Sequence, residues 1–183
     1  MLVEQIDNLS RIAGTFSDFA RMPEANYAQV DISVVLQSVA RLFTNNNQKI
    51  TINCTVENSV FIYADSEQLI QVFNNLIKNA VQSIPKDRKG KIEINLEQTE
   101  TSIVVRISDN GNGVPKEIQD KMFVPNFTTK AQGMGLGLAI SKNIIEQLGG
   151  NIRFETKEKN GSVFIVEIPK KQLSAFKTMQ TEN

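Results

Sequence analysis

The sequence predicts an α+β fold: a two-layer α/β sandwich whose mixed, mostly antiparallel sheet is covered on one face by helices. Helical and strand patterns occur in blocks, and the last strands are neighbours in the chain, which together indicate a sheet layered against helices. The composition, 40% hydrophobic and 22% charged, is that of an ordinary globular protein. A length of 183 residues suits one domain with a small appendage.

The appendage is predicted at the N-terminus. Residues 1–22 place apolar side chains at alternating steps of four and three, the heptad pattern of a helix that pairs with another helix. A surface helix of a single domain is the alternative. Pro23 ends this helix, and residues 23–30 are interpreted as a linker. The main domain is expected over residues 31–170, followed by a polar tail at 171–183.

Within the main domain, a helix capped near Asp31 or Ser33 is predicted to run to Phe43. Asp65 is expected to begin a long amphipathic helix that stops at Pro85. The other predicted elements are strands at 50–56, 60–64, 91–97 and 102–109, a short helix at 115–122, a helix ending at Gly149-Gly150, and a closing hairpin at 151–169 that turns at Asn160-Gly161.

Composition excludes several classes of function. Lys and Arg together number 20, as do Asp and Glu, so no strong positive field directs the chain to nucleic acid. The absence of histidine excludes nucleophiles that depend on a histidine base and the usual zinc sites. Cys54 is alone, and neither a signal peptide nor a long apolar run is present, so a cytoplasmic protein without disulfides is expected.

A glycine run is the first candidate site. Gly133, Gly135 and Gly137 lead directly into a helix, whose N-terminal N–H groups and positive dipole end favour a bound anion such as phosphate. Missing Cβ atoms would let phosphate oxygens approach the backbone. No P-loop pattern is present, and Leu138 stands where the dinucleotide-binding fingerprint needs a glycine. A tight packing site for the helix is the alternative.

Two further candidates carry polar side chains. Asp109 ends an apolar strand, where a half-buried carboxylate needs a donor such as an exocyclic amine, and Gly111 and Gly113 would let a flat ring lie against the backbone. Asn75 and Asn79 lie four residues apart on one helix face, and an amide oxygen suits Mg²⁺. A simple turn and a solvated helix face, respectively, are the alternatives.

In this order, the segments resemble the Bergerat ATP-binding fold of the GHKL superfamily, which includes sensor histidine kinases, gyrase and MutL. The likeness extends from Asp31 to Pro169. The opening helix resembles the second helix of the dimerisation and phosphotransfer hairpin of sensor kinases. The resembling motifs are the N box at 75–79, the G1 box at 109–113, the F box at 122–130, the G2 box at 133–150 and the last strand at 161–169.

The resemblance implies ATP and Mg²⁺ as cofactors. Asp109 would accept a hydrogen bond from the adenine amine, and Asn79 would hold Mg²⁺ with Asn75 nearby. Residues 123–133 would form a mobile lid, from which Lys130 would reach the terminal phosphate. Asn75, Asn79 and Lys130 would thus be the catalytic residues. Further contacts to the nucleotide are implied for Gly111, Gly113, Phe123, Thr128, Thr129, Gly133, Gly135, Leu136, Gly137 and Leu138. Asn126 departs from the pattern, because such kinases commonly have a second aromatic there.

The resemblance also favours phosphoryl transfer over hydrolysis. ATPases of this superfamily carry a glutamate four residues before the magnesium-binding asparagine, whereas this chain has Asn75, whose amide cannot deprotonate water. The implied acceptor is a histidine on a helix before Leu2, and the implied partners are a second copy of the full-length protein and a response regulator receiver domain. This chain, interpreted as a truncated kinase, is expected to bind Mg-ATP without phosphorylating itself. A serine kinase of the anti-sigma type and a nucleotide-binding dimerisation scaffold are the alternatives.

Overall fold

The computed structural model describes residues 25–44, 49–56, 58–129 and 134–170. The predicted helix at 1–22 and the tail at 171–183 lie outside these residues. In the described parts, the strands are β1 (Ala28–Asp31), β2 (Ile50–Thr55), β3 (Phe61–Ala64), β4 (Gly90–Gln98), β5 (Ser102–Asp109), β6 (Asn151–Lys157) and β7 (Gly161–Pro169). The helices are α1 (Ile32–Thr44), α2 (Ser66–Ser83), α3 (Lys116–Gln119) and α4 (Gly137–Gln147). None of these helices is long and apolar enough to cross a membrane.

The main sheet has five strands in the order β2-β4-β5-β7-β6. β2 runs parallel to β4, while the pairs β4-β5, β5-β7 and β6-β7 are antiparallel. The predicted α+β fold with a mixed, mostly antiparallel sheet is therefore confirmed.

The expectation of a single sheet is wrong in one respect, because β1 and β3 form a separate antiparallel pair. β1 lies largely in the segment interpreted as a linker. Its pairing with β3 joins Val30 to Ile62, 32 residues further along the chain. A four-residue strand that depends on so distant a partner leaves little local pattern in the sequence.

The core lies between the main sheet and α1, α2 and α4, which cover one face of it. Along β5, the side chains of Ile103, Val105 and Ile107 alternate onto this face and are almost fully buried. The same period of two places the Asp109 side chain on the helix-covered face, at the end of the strand. The sheet thus delivers a carboxylate to the edge of the core.

Asp65 fixes the start of α2, as predicted. Its Oδ1 accepts hydrogen bonds from the N–H groups of Glu67 at 2.8 Å and Gln68 at 3.0 Å. Its Oδ2 accepts from the N–H of Asn26 at 2.7 Å, so the same carboxylate ties the segment just before β1 to the helix. A cap of this kind satisfies donors that the first turn of a helix leaves without intrahelical partners.

The segment at 115–122 is less helical than predicted, because α3 covers four residues. Turns continue from it: the N–H groups of Lys121, Met122 and Val124 each donate to the carbonyl three residues earlier, at 3.0–3.2 Å. Asn126 follows with φ = 64°, in the left-handed region that asparagine tolerates better than an aromatic residue does. This backbone requirement accounts for Asn126.

Candidate functional site

One face of α2 carries three polar side chains spaced four residues apart: Asn75, Asn79 and Ser83. All three are half-buried. At 1.5 Å per residue, the first and last are about 12 Å apart along the helix. Ser83 contacts Asp109, whereas Asn75 contacts Gly137, so α2 connects two of the predicted motifs directly.

At the Ser83 end, Asp109 is buried, with 8% of the residue exposed. Its Oδ1 accepts hydrogen bonds from the Ser83 hydroxyl and from the Gly111 N–H, both at 2.8 Å. Burial raises the pKa of Asp109, and the hydrogen bonds from Gly111, Ser83 and the Ser162 N–H oppose this rise without cancelling it. The result is a desolvated acceptor, which is the chemistry that an exocyclic amine requires.

The glycines that follow Asp109 are required by the protein itself. A Cβ on Gly111 would lie 2.0 Å from the Ser83 hydroxyl oxygen. Gly113 has φ = 68°, and its Cβ would lie 2.5 Å from the carbonyl oxygen of Lys157 in the β6–β7 hairpin. The close approach predicted for these positions is thus an approach of protein to protein. Contact of Gly111 and Gly113 with a bound ring stays a prediction.

At the other end of the face, Asn75 lies against the first turn of α4. Its Nδ2 is 3.2 Å from the carbonyl oxygen of Gly137 and 3.4 Å from the hydroxyl of Ser141, which itself donates to the Gly137 carbonyl at 2.8 Å. A Cβ on Gly137 would stand 3.3 Å from the Asn75 amide. The N-terminus of α4 is therefore held beside α2. Its N-cap residue, Leu136, has no polar side chain with which to cap the first N–H groups.

The residues before α4 pack against their own chain. Gly135 has φ = 67°, and its Cβ would lie 2.5 Å from the carbonyl oxygen of Phe127, which explains this glycine without a ligand. Leu136 is buried in the core, and Leu138 packs against it. Any contact of Leu136 with a nucleotide would therefore come from its backbone, whereas Leu138 is half-buried. Contacts of both leucines with a nucleotide stay predictions.

The predicted lid is described only in part, since Lys130 and Gly133 lie outside the described residues. Thr128 and Thr129 are exposed. Phe123 packs in an aromatic row, with its ring centroid 6.0 Å from that of Phe154 and Lys142 Nζ 5.7 Å from the Phe123 centroid. Phe123 thereby anchors the start of this segment on β6 and α4. Its contact with a nucleotide stays a prediction.

Three polar residues at the site escaped prediction. Ser83 continues the four-residue spacing of Asn75 and Asn79, so the helix periodicity could have revealed it. Ser141 is fully buried and lies four residues, or one helical turn, after Gly137, so helix periodicity could have revealed it as well. Arg88, which donates to two carbonyl oxygens of the loop after Asp109, has no local signal, because those carbonyls are 22 and 23 residues away.

The donor set fits a cation that takes few protein ligands. Among the described residues, no cluster of three or more His, Cys, Asp or Glu side chains could hold a metal ion. Asn79 carries a side-chain amide and lies on this face of α2, between Asn75 and Ser83. Mg²⁺ is commonly held by one or two protein oxygens together with phosphate oxygens and water, so this site suits Mg²⁺ bound with a nucleotide.

The fold and the order of these groups along it define an ATP-binding domain of the histidine kinase and gyrase class. Residues 64–172 match the family described as "Histidine kinase-, DNA gyrase B-, and HSP90-like ATPase". The chain belongs to this family, and the predicted resemblance is confirmed.

Relatives and solved structures place the chain on the histidine kinase side of the family. Sensor histidine kinase ZraS of Escherichia coli (strain K12) is 30% identical over 172 residues, which are 92% of this chain and 37% of the relative. The catalytic domain of histidine kinase ThkA is 36% identical with a TM-score of 0.69, covering 79% of this chain and 96% of that domain. ThkA in complex with response regulator protein TrrA is 30% identical with a TM-score of 0.71, covering 92% of this chain and 49% of that one. This chain thus contains a histidine-kinase catalytic domain and spans little more than a third of ZraS.

Proposed function

We propose that this chain is the ATP-binding catalytic part of a two-component sensor histidine kinase. In this function it binds Mg-ATP and passes the γ-phosphoryl group to a histidine that lies outside these 183 residues, which contain none. The observation that carries the proposal is the single face of α2, which runs from the buried Asp109 carboxylate to the N-terminus of α4.

The Asp109 end of the site is proposed to hold the base. Two donors already occupy Oδ1 of Asp109, and the carboxylate lies at the edge of a dry core. An ionised carboxylate so placed accepts strongly from an amine, and it repels a carbonyl oxygen at the same position. This arrangement favours adenine, which presents an amine, over guanine, which presents a carbonyl there.

The α4 end is proposed to hold the phosphates. Backbone N–H groups at the start of α4 and the helix dipole attract anionic oxygens, and Lys130 is proposed to add its charge from the lid. Asn79 is proposed as the protein ligand of Mg²⁺, which when bound neutralises charge on the phosphates. Phosphoryl transfer under these conditions depends mainly on positioning and on electrostatic stabilisation.

Transfer is favoured over hydrolysis by the surroundings of Asn75. Its Nδ2 faces the carbonyl oxygen of Gly137, a position in which an amide donor is matched and a carboxylate would be repelled. An amide has no useful basicity, so no general base for water is present at this position. The bound ATP would accordingly be preserved for a nucleophilic side chain.

Partners of the whole protein are proposed from the relatives and from the N-terminal sequence. The complex of ThkA with TrrA supports a response regulator receiver domain as the protein that next takes the phosphoryl group. The heptad pattern at 1–22 supports a homodimer through the helical hairpin of the full-length protein. Cytoplasmic ATP is the proposed phosphoryl source.

Titration calorimetry with Mg-ATP is expected to show binding, because both ends of the site are held in place by contacts within the protein. With γ-labelled ATP, the chain is expected to acquire no acid-labile label, whereas a longer protein bearing the upstream histidine acquires it. Acid-labile label on this chain would contradict the proposal. Acid-stable label on a serine would favour the anti-sigma kinase class. Binding of ATP without transfer in the longer protein as well would favour a scaffold.

Substitution of Asn79 with alanine tests the magnesium role. The affinity for ATP in the presence of Mg²⁺ is expected to fall at least about tenfold, since loss of a residue that merely supports a metal ligand typically weakens metal binding by that much. The affinity for ATP in EDTA should be nearly unchanged, because no magnesium contact is then lost. Asn74→Ala is the matched control, as Asn74 is exposed on the same helix. Equal losses with and without magnesium would assign Asn79 to nucleotide contact rather than to the metal.

A further inference from the structure

The loop after Asp109 is held by Arg88, an arginine that belongs to none of the five motifs of the ATP-binding family given above. Arg88 lies between α2 and β4, half-buried, and its own N–H donates to the Pro85 carbonyl at 3.1 Å. A single nitrogen of its guanidinium group, Nη1, donates to the carbonyl oxygens of Asn110 at 2.6 Å and Gly111 at 2.9 Å. Charge-assisted bonds of this length are stronger than neutral ones.

The two carbonyls belong to peptide groups whose N–H groups each donate a hydrogen bond near the Asp109 carboxylate. The Asn110 carbonyl shares its peptide with the Gly111 N–H, which donates to Asp109 Oδ1 at 2.8 Å. The Gly111 carbonyl shares its peptide with the Asn112 N–H, which donates to the Ser83 carbonyl at 3.0 Å. A cation bound to a carbonyl polarises the whole peptide and strengthens the hydrogen bond that its N–H donates.

We propose that Arg88 is a positioning residue for the base-recognising carboxylate and acts on Asp109 through the Asn110–Gly111 peptide. This inference rests on the proposed function, because it assigns Arg88 a part in nucleotide binding. Through the first peptide, Arg88 fixes which carboxylate oxygen is occupied by the protein. Through the second, it anchors the loop to the end of α2, where Ser83 contacts the same carboxylate.

Arg88 is the cationic side chain that acts on Asp109 through the Asn110–Gly111 peptide. Groups that bond Asp109 directly are the hydroxyl of Ser83 on α2, the N–H of Gly111 in its own loop and the N–H of Ser162 on β7, and all three are uncharged. Lysines near the loop contact it through backbone atoms. They are Lys89 and Lys91 before and within β4, and Lys157 and Lys159 in the β6–β7 hairpin.

The contact of Arg88 with the Asn110–Gly111 peptide also sets the direction in which loss of Arg88 shifts the pKa of Asp109. Burial raises the pKa of Asp109, and the Gly111 N–H is among the groups that oppose this rise. Loss of Arg88 weakens that donor, so the pKa of Asp109 rises further and the carboxylate becomes protonated at a higher pH. Binding of an adenine amine needs the ionised carboxylate, so affinity in the variant is lost at a higher pH than in the parent chain.

Arg88→Met tests the inference, because it keeps an apolar stem and removes the donors. Its affinity for ATP, measured by calorimetry, is expected to be about tenfold weaker, the loss typical of one charge-assisted hydrogen bond. Arg88→Lys is expected to recover most of the affinity, since an ammonium can also donate to two carbonyls. Lys89→Met is the control for the lost charge, because Lys89 is the exposed neighbour in sequence.

The pH profile distinguishes positioning from general damage. The ratio of variant to parent affinity is followed over pH, since titration of the nucleotide itself is common to both and cancels. In Arg88→Met this ratio is expected to fall towards acid pH, whereas in Lys89→Met it stays flat. If Arg88→Met does not fold, Arg88→Gln, which keeps an NH₂ group without charge, takes its place with the same expectation.

The outcomes separate this inference from the proposed function. A parent chain that fails to bind ATP refutes the proposed function. A parent chain that binds, together with Arg88 variants of equal affinity and a flat ratio over pH, overturns the role of Arg88 alone. Weaker binding with a flat ratio and no recovery by lysine would likewise overturn it, because the residue would then serve only the stability of the loop.

Discussion

Asp109→Asn is expected to weaken the binding of ATP at least about a hundredfold, the equivalent of roughly 3 kcal/mol for a hydrogen bond to a charged group. Asparagine has nearly the same size and keeps an oxygen for the Ser83 and Gly111 donors. It places an NH₂ group where the carboxylate met the adenine amine, so two donors face each other. Calorimetry with ATP measures the loss, and Asp87→Asn, an exposed change in the loop after α2, is the control.

The pH dependence of binding gives the same prediction a second readout. Because burial raises the pKa of Asp109, the parent chain is expected to lose affinity as the pH falls through this raised value, above the range of an ordinary aspartate. Affinity is retained above it, where the carboxylate is ionised. The asparagine variant lacks this titration. An asparagine variant that binds ATP as tightly as the parent chain would refute the role of Asp109 in recognising the base.

Phe73→Ala is expected to lower the free energy of unfolding by about 3–5 kcal/mol, as for other buried phenylalanines. Phe73 is fully buried and is the largest such side chain on α2. Its removal leaves a cavity between helices and sheet, and a loss of this size is a large part of the stability of a typical domain. Urea denaturation followed by circular dichroism measures the change.

The control for this prediction lies one turn away. Ile70 is on the same helix and is 41% exposed, so Ile70→Ala is expected to change the free energy of unfolding by less than about 0.5–1 kcal/mol. Equal effects of the two substitutions would mean that α2 does not pack on the sheet through the face described above. Phe73 lies two residues before Asn75, so packing of α2 also sets where the site's amides lie.

Local periodicity made most of the fold predictable. The apolar alternation of β5 ends on Asp109, and the cap at Asp65 marks the start of α2, because in each case the signal lies within a few residues. β1 was missed for the opposite reason, since its partner strand begins 30 residues beyond its own end. Long-range pairing of short strands is decided by tertiary contacts and not by the residues themselves.

In the candidate site too, residues with a local sequence pattern were predictable, and residues that depend on distant contacts were not. The spacing of Asn75 and Asn79 was readable because a helix places residues four apart on one face. The reason for Gly111 was not readable, because the group it must avoid, the Ser83 hydroxyl, lies on a different element. The Arg88 contacts were hidden by the same separation. Glycines that are read as openings for a ligand can instead mark where two parts of the protein touch.

Because Asn75, Asn79 and Ser83 lie on a single helix, the geometry of α2 fixes the distances between these three side chains. The surrounding loops can change in length without altering these distances. Insertion of one residue between Asn79 and Ser83 would turn the serine by about 100° around the axis and shift it by about 1.5 Å, away from the aspartate it meets. We therefore expect proteins built on this plan to vary in length outside the segment from Asn75 to Ser83.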